Sequence, residues 1–183
     1  MERSDDYLLE LALQGDGASF GELIERWQKK IYAFIRRYVD NGEEARDLTQ
    51  DTFTKAYKNL DRLSDPARFS SWLYKIALNE CRMRFRRQQK IQRVPFEEFL
   101  ESDRVGSNEV SPERALASKE AVEVLKRAFK DLPEEQKTVI LMKEYQGLKF
   151  HEIADILDVP LSTVKSRMYL GLKTLRKLME NQL

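Results

Sequence analysis

One apolar stripe limits the fold of this chain more than any other feature. Phe20, Leu23, Ile24, Trp27, Ile31, Phe34, Ile35 and Tyr38 recur at three- and four-residue steps, the period of a helix that buries one face. Asn41-Gly42 is expected to end that helix, since both residues tolerate positive φ. A second helix is predicted from about Glu43 to Leu60, with Ala45, Leu48, Thr49, Thr52, Phe53, Ala56, Tyr57 and Leu60 turned inward. A third is predicted from about Ser70 into the low nineties on Trp72, Leu73, Ile76 and Ala77, and a weaker one from Asp6 to Gln14. No stretch alternates apolar and polar residues long enough for a sheet, and only 7 Gly and 5 Pro interrupt the 183 residues. The predicted class is all-α.

The periodicity vanishes between Val94 and Pro112, where Glu97, Glu98, Glu101 and Asp103 surround Phe96, Phe99 and Leu100. This reads as an extended acidic linker. Beyond it, Ser111-Pro112-Glu113 offers an N-cap and a proline at the first helical position of a helix running to about Lys130. Leu132-Pro133 opens another helix that ends at Gly147. A short helix over Phe150–Leu157, a turn through Asp158 and Pro160, and a Ser162-capped helix to about Met179 complete the chain. The expected organisation is a helical bundle over 1–94, a tether over 95–112 that keeps two heads apart, and a second helical domain over 113–183.

Composition narrows the chemistry. One cysteine, Cys81, excludes an intramolecular disulfide, and one histidine, His151, leaves too few soft ligands for a zinc site. His151-Glu152 lacks the second histidine of the helical zinc motif, and no phosphate loop or nucleophile-base set appears, so no metal, cofactor or catalytic group is expected. No apolar run reaches the roughly 18 residues of a membrane span. The opening Met1-Glu2-Arg3-Ser4-Asp5-Asp6 lacks a signal-peptide layout. A cytoplasmic protein without membrane insertion is expected.

The net charge of +1 hides segregation, because residues 62–93 carry nine basic and two acidic side chains while 94–113 carry one and six. Lys75, Asn79, Arg82, Arg86, Lys90 and Arg93 fall on one stripe of the third helix, with Trp72 at its border and Phe69 just upstream. Cations beside aromatic rings suit single-stranded nucleic acid, although Trp72 taken alone also suits a core. The second helix shows a different face, Asp47, Gln50, Asp51, Thr54 and Lys58, whose neighbouring acids a basic partner would relieve. In the last helix Ser162, Thr163, Lys165, Ser166 and Arg167 stand near the N-terminus, as in the second helix of a helix-turn-helix that meets duplex DNA. Ile153, Ala154, Leu157 and Val164 would form its interior. A duplex-binding regulator and a protein-only helical adaptor both remain open on these features.

Three segments together carry a resemblance. Asp47-Leu48-Thr49-Gln50-Asp51-Thr52-Phe53, Phe69-Ser70-Ser71-Trp72-Leu73-Tyr74-Lys75-Ile76-Ala77 and Val159-Pro160-Leu161-Ser162-Thr163-Val164-Lys165-Ser166-Arg167 resemble bacterial sigma factors of the extracytoplasmic-function group, which keep only regions 2 and 4 of the sigma-70 family. The resemblance implies a transcription initiation factor that binds core RNA polymerase at its clamp and flap and reads promoter DNA. Asp47, Gln50, Asp51 and Thr54 would meet the clamp. Arg62, Arg68, Phe69, Trp72, Lys75, Asn79, Arg82 and Arg86 would melt and hold the −10 strand. Ser162, Thr163, Lys165, Ser166, Arg167 and Tyr169 would read the −35 duplex. The linker would thread channels built for nucleic acid, and an anti-sigma factor is an expected partner. Leu170-Gly171 departs from relatives that carry a basic residue there, which removes one expected DNA contact.

Overall fold

A computed structural model of the chain describes residues 3–39, 41–91, 124–125 and 127–180. The first half is four helices, α1 (Asp5–Leu13), α2 (Gly17–Arg36), α3 (Gly42–Lys58) and α4 (Phe69–Ile91), with 3-10 turns at Leu60–Arg62 and Pro66–Arg68 before α4. The second half has α5 (Glu134–Ile140), α6 (Phe150–Leu157) and α7 (Leu161–Glu180), preceded by helical residues at 127–130. No strand occurs among the described residues. The acidic segment, Arg93 and the start of the helix expected at Ser111-Pro112 lie outside them.

The long apolar stripe does what its period requires. Phe20, Leu23, Ile31, Phe34 and Ile35 of α2 are buried, and the Phe34 ring meets the edge of Tyr74 on α4 at 5.3 Å. Asp5 ties α1 to α2 by accepting from Arg26 Nη1 at 2.5 Å and Trp27 Nε1 at 2.8 Å. On α3, Thr49 and Thr52 are buried without loss because their hydroxyls donate to Ala45 and Leu48 carbonyls at 2.6 and 2.7 Å.

Asn41-Gly42 has a role other than the expected one. The α2 helix already stops at Arg36, Asn41 has φ −93°, and its Oδ1 accepts from Glu43 N at 2.8 Å as the N-cap of α3. A short polar side chain serves either end of a helix, and here the four orphan amide groups of α3 claim it. Ser162 is corrected similarly. The last helix starts at Leu161, with Pro160 O accepting from Thr163 and Val164 N at 2.9 and 3.2 Å, so Ser162 stands inside the first turn and caps nothing. The preceding turn reverses at Asp158, held at φ 55°, a region that Asp tolerates better than most side chains.

Between α5 and α6 the helix widens into a π turn over Leu141–Tyr145 and ends before Gly147 at φ +67°. Above it, α7 crosses α5 at Gly171, where a Cβ would stand 2.9 Å from Ile140 Cδ1 and 3.1 Å from Gln136 Cβ. Gly171 is thus a packing contact, whereas its neighbour Leu170 is exposed.

The two heads are not kept apart. The α4 helix packs on α6, the end of α2 meets the π turn, and buried apolar residues of both halves form one continuous cluster. Periodicity cannot reveal such docking, because it needs only two half-buried faces of matching shape.

Gly171→Ala is expected to destabilise the fold by about 1–2 kcal/mol through overpacking. Gly21→Ala, inside α2 with nothing within 4 Å of the new methyl, should stabilise it by about 0.5–1 kcal/mol. Urea denaturation of the two variants checks both signs.

Candidate nucleic-acid interface

The polar face of α3 is intact. Asp47, Gln50, Asp51 and Thr54 are all exposed and lie on adjacent positions of one helical surface. Asp47 and Asp51 line a depression of about 360 Å³ together with Glu43 and Glu44 of α3 and Glu80, Arg84 and Arg87 of α4. Gln50 and Thr54 border a larger apolar groove between α2 and α3, about 960 Å³, floored by Phe20, Ile24 and Phe53. The carboxylate of Glu80 is buried and is held by Lys55 Nζ at 2.5 Å, which explains how an acid is tolerated on the inner side of α4.

On α4 the basic stripe divides. Asn79 and Arg86 are exposed, whereas Lys75 and Arg82 are half-buried. Arg82 Nε donates to Glu134 Oε1 of α5 at 2.8 Å, so the middle of the stripe faces the other half of the chain. Side chains beyond Arg87 on α4 lie outside the described residues. In the preceding loop Arg62 and Arg68 are exposed, and Asp65 caps the turn over Pro66–Arg68 by accepting from Ala67 N at 3.0 Å.

The aromatic pair requires a correction. Phe69 is only 2% exposed, its ring edge-on to Trp27 at 6.1 Å, and is part of the core with no face to offer a base. Trp72 is half-buried, 6.2 Å from Phe69, and presents the outer ring of the pair. The sequence pattern could not separate them, since both fall where the apolar and polar faces of α4 meet.

At the start of α7, Ser162, Lys165, Ser166 and Tyr169 form one exposed face, with Tyr169 69% exposed. Thr163 and Arg167 sit to its side, and Arg167 Nη2 is paired with Glu135 Oε2 at 2.7 Å. Ile153, Ile156 and Val164 are the buried interior of the α6–α7 pair, with Ala154 and Leu157 partly covered. This pair is a helix-turn-helix whose second helix is open along its N-terminal half.

Contacts that no sequence signal marked join the halves. Tyr38 OH donates to Thr138 Oγ1 at 2.6 Å in a buried hydrogen bond spanning 100 positions. Tyr74 OH donates to Gln146 Oε1 at 3.0 Å, and the Arg37 guanidinium lies 4.3 Å over the Tyr145 ring. Burial pushes the Tyr74 hydroxyl up to about 12 and Tyr38 further, and lifts the Cys81 thiol to about 12. Cys81 is therefore an inert core group rather than a reactive thiol.

Comparison with known proteins accords with this arrangement of two helical units. Sigma-70 region 2 matches residues 23–91, and Sigma-70 region 4 matches residues 123–175. The RNA polymerase sigma-H factor of Pseudomonas aeruginosa is 31% identical over 98% of this chain and 95% of its own length. The chain belongs to the sigma-70 family, in its extracytoplasmic-function group. The extracytoplasmic-function sigma-E factor of Haemophilus influenzae is 33% identical over 98% of this chain and 95% of its own length. A solved structure of the sigma factor RpoE of Bartonella quintana with the anti-sigma factor NepR shares the fold at a TM-score of 0.68, with 22% identity over 88% of this chain and 96% of that one. As a sigma factor, the protein directs RNA polymerase to promoters in transcription initiation. No described helix is long and apolar enough to cross a membrane.

The three buried groups predict how this sigma factor responds to alkali. Each has a folded-state value above its ordinary one, 9 for Cys81 and 10 for the tyrosines, so folding favours the protonated form. That stabilisation is complete at neutral pH and is lost as pH rises through 9 to 12. Urea midpoints should decline from about pH 9 and steepen above about 10, and Tyr38→Phe should reduce the slope.

Proposed function

We propose that this sigma factor divides its work among three helices of different charge. Region 2, over 1–94, would dock on the polymerase clamp with Asp47, Gln50, Asp51 and Thr54. It would open and hold the −10 strand with Arg62, Arg68, Trp72, Lys75, Asn79, Arg82 and Arg86. Region 4, over 113–183, would read the −35 duplex with Ser162, Thr163, Lys165, Ser166, Arg167 and Tyr169, and would touch the polymerase flap. Phe69 supports the −10 site from behind, by fixing the plane of Trp72.

One observation carries the reading: the acidic face of α3 and the open face of α7 are exposed on different halves of the same chain. An acidic helix surface selects a basic protein partner rather than DNA, which it would repel. The α7 face, with Lys165 among small polar residues and an exposed tyrosine, fits a major groove. Stacking of an extruded base on Trp72 contributes about 1–3 kcal/mol, comparable with the cost of unstacking it.

The acidic segment 95–112 would follow a polymerase channel shaped for nucleic acid, where negative charge mimics phosphate and growing transcript displaces it. An anti-sigma factor is the proposed antagonist, as in the complex of the Bartonella quintana protein. The factor would act in the cytoplasm and catalyse no bond chemistry of its own. A regulator that reads duplex DNA without polymerase is disfavoured, because it leaves the α3 face without a partner.

Two experiments test the proposal. Asp47→Ala with Asp51→Ala should abolish co-elution with core polymerase while helical content stays unchanged, since both side chains are exposed; unchanged co-elution contradicts the clamp assignment. Binding of the full chain to duplex −35 DNA should weaken about tenfold or more for a fourfold rise in salt if two or more phosphates are neutralised. A salt-insensitive complex contradicts the α7 assignment.

A further inference from the structure

The outer surface of α7 is more apolar than phosphate binding alone requires. Among the described residues ten large apolar side chains are exposed, and four of them, Leu161, Tyr169, Leu170 and Leu172, are on this one helix. A single exposed leucine is ordinary, whereas a cluster marks a surface that meets something. Leu170 is 48% exposed and stands one turn beyond Ser166, beside Tyr169, on an edge that begins at Ser162. The next residue, Gly171, packs on α5, so Leu170 is turned away from the core.

We propose that Leu170 reads the C5 methyl group of a thymine in the major groove of the −35 duplex, and is thereby a specificity-determining residue of region 4. The inference rests on the proposed reading of that duplex by α7. Thymine is the one standard base that presents a methyl group on the major-groove edge, so an apolar side chain there favours it over the other three. The rise from Ser162 to Leu170 is about 12 Å, short enough for both to lie in one major groove of about the same width. A cation at this position would contact phosphate or guanine instead; a leucine can do neither.

Charge identifies what covers this surface. Lys165 and Lys173 stand one turn to either side of Tyr169, both exposed and neither paired with an acid among the described residues. Arg167, in contrast, is tied to Glu135, and α7 carries no acid before Glu180. Two unpaired ammonium groups around an apolar centre suit a groove lined by phosphates, with Tyr169 and Leu170 over the base edges between them. A protein that merely covered the leucines would have to bring acids to the same two places.

Deoxyuridine in place of thymidine keeps every base-pairing hydrogen bond and removes only the methyl group, so it tests this contact alone. The probe is a duplex selected by the full chain from a randomised pool. Replacing its thymines by deoxyuridine one at a time should weaken binding at one position by about fourfold, the loss expected for one methyl group taken from an apolar contact. Leu170→Ala should weaken binding to the unsubstituted duplex by about as much, and deoxyuridine at that position should then cost nothing more. Helical content should not change, because the side chain is exposed. Leu170→Lys should remove the thymine preference and steepen the slope of log affinity against log salt by about 0.9, the value for one added phosphate contact.

A selected duplex without thymine overturns the proposal, as does one in which no deoxyuridine weakens binding. Sensitivity that persists undiminished in Leu170→Ala also overturns it, since another side chain then holds the methyl group. Lys165→Ala, measured in parallel, separates the inference from the reading beneath it. If Lys165→Ala weakens binding and Leu170→Ala does not, α7 reads the duplex and only the Leu170 contact is wrong. If neither substitution changes binding, the α7 reading fails and the thymine contact with it.

Discussion

A buried hydroxyl-to-hydroxyl contact fixes how the two halves of this molecule meet. Tyr38, just past the end of α2, donates to Thr138 on α5 with both residues buried, and around that bond the apolar residues of the two halves merge into one cluster. A buried hydroxyl without a partner is costly, whereas one with a partner specifies position sharply. With the halves docked in this way, α3 and α7 stay outside and the middle of α4 is turned inward, where Arg82 meets Glu134.

The charge layout follows from the same constraint. A sigma factor must meet a protein with one surface and nucleic acid with others, on a chain whose total charge is nearly zero. Segregation achieves this: acids gather on α3 and cations on α4, while α7 mixes cations with small polar residues. Among the described residues, charges that turn inward are paired, Glu80 with Lys55 and Arg26 with Asp5, which offsets the cost of burying them.

Much of this was legible beforehand, for physical reasons. Helical period located α2, α3 and α4, because each buries one face, and the turn through Asp158 and Pro160 located α6 and α7. Where one residue type serves two ends, the sequence was ambiguous: Asn41 proved a start signal rather than a stop, and the helix expected to begin at Ser162 begins at Leu161 because the Pro160 carbonyl accepts the first amides. The exposed faces of α3 and α7 were visible as polar stripes. The burial of Phe69 beneath Trp72 was not, since neighbours at a face boundary share one pattern and only tertiary contact with Trp27 decides between them. Least legible of all was the Tyr38–Thr138 bond, between two ordinary residues 100 positions apart. The same holds for Glu134 on Arg82 and Glu135 on Arg167, where pairing depends on how the helices meet.

The central claim is that these surfaces act together to start transcription on polymerase. Run-off transcription with purified core polymerase, this chain and a library of promoter templates tests it most directly. The account predicts transcripts from a subset of templates that share a −35 and a −10 element at constant spacing, each element being required. Absence of any transcript, together with failure of the chain to join polymerase, would contradict it.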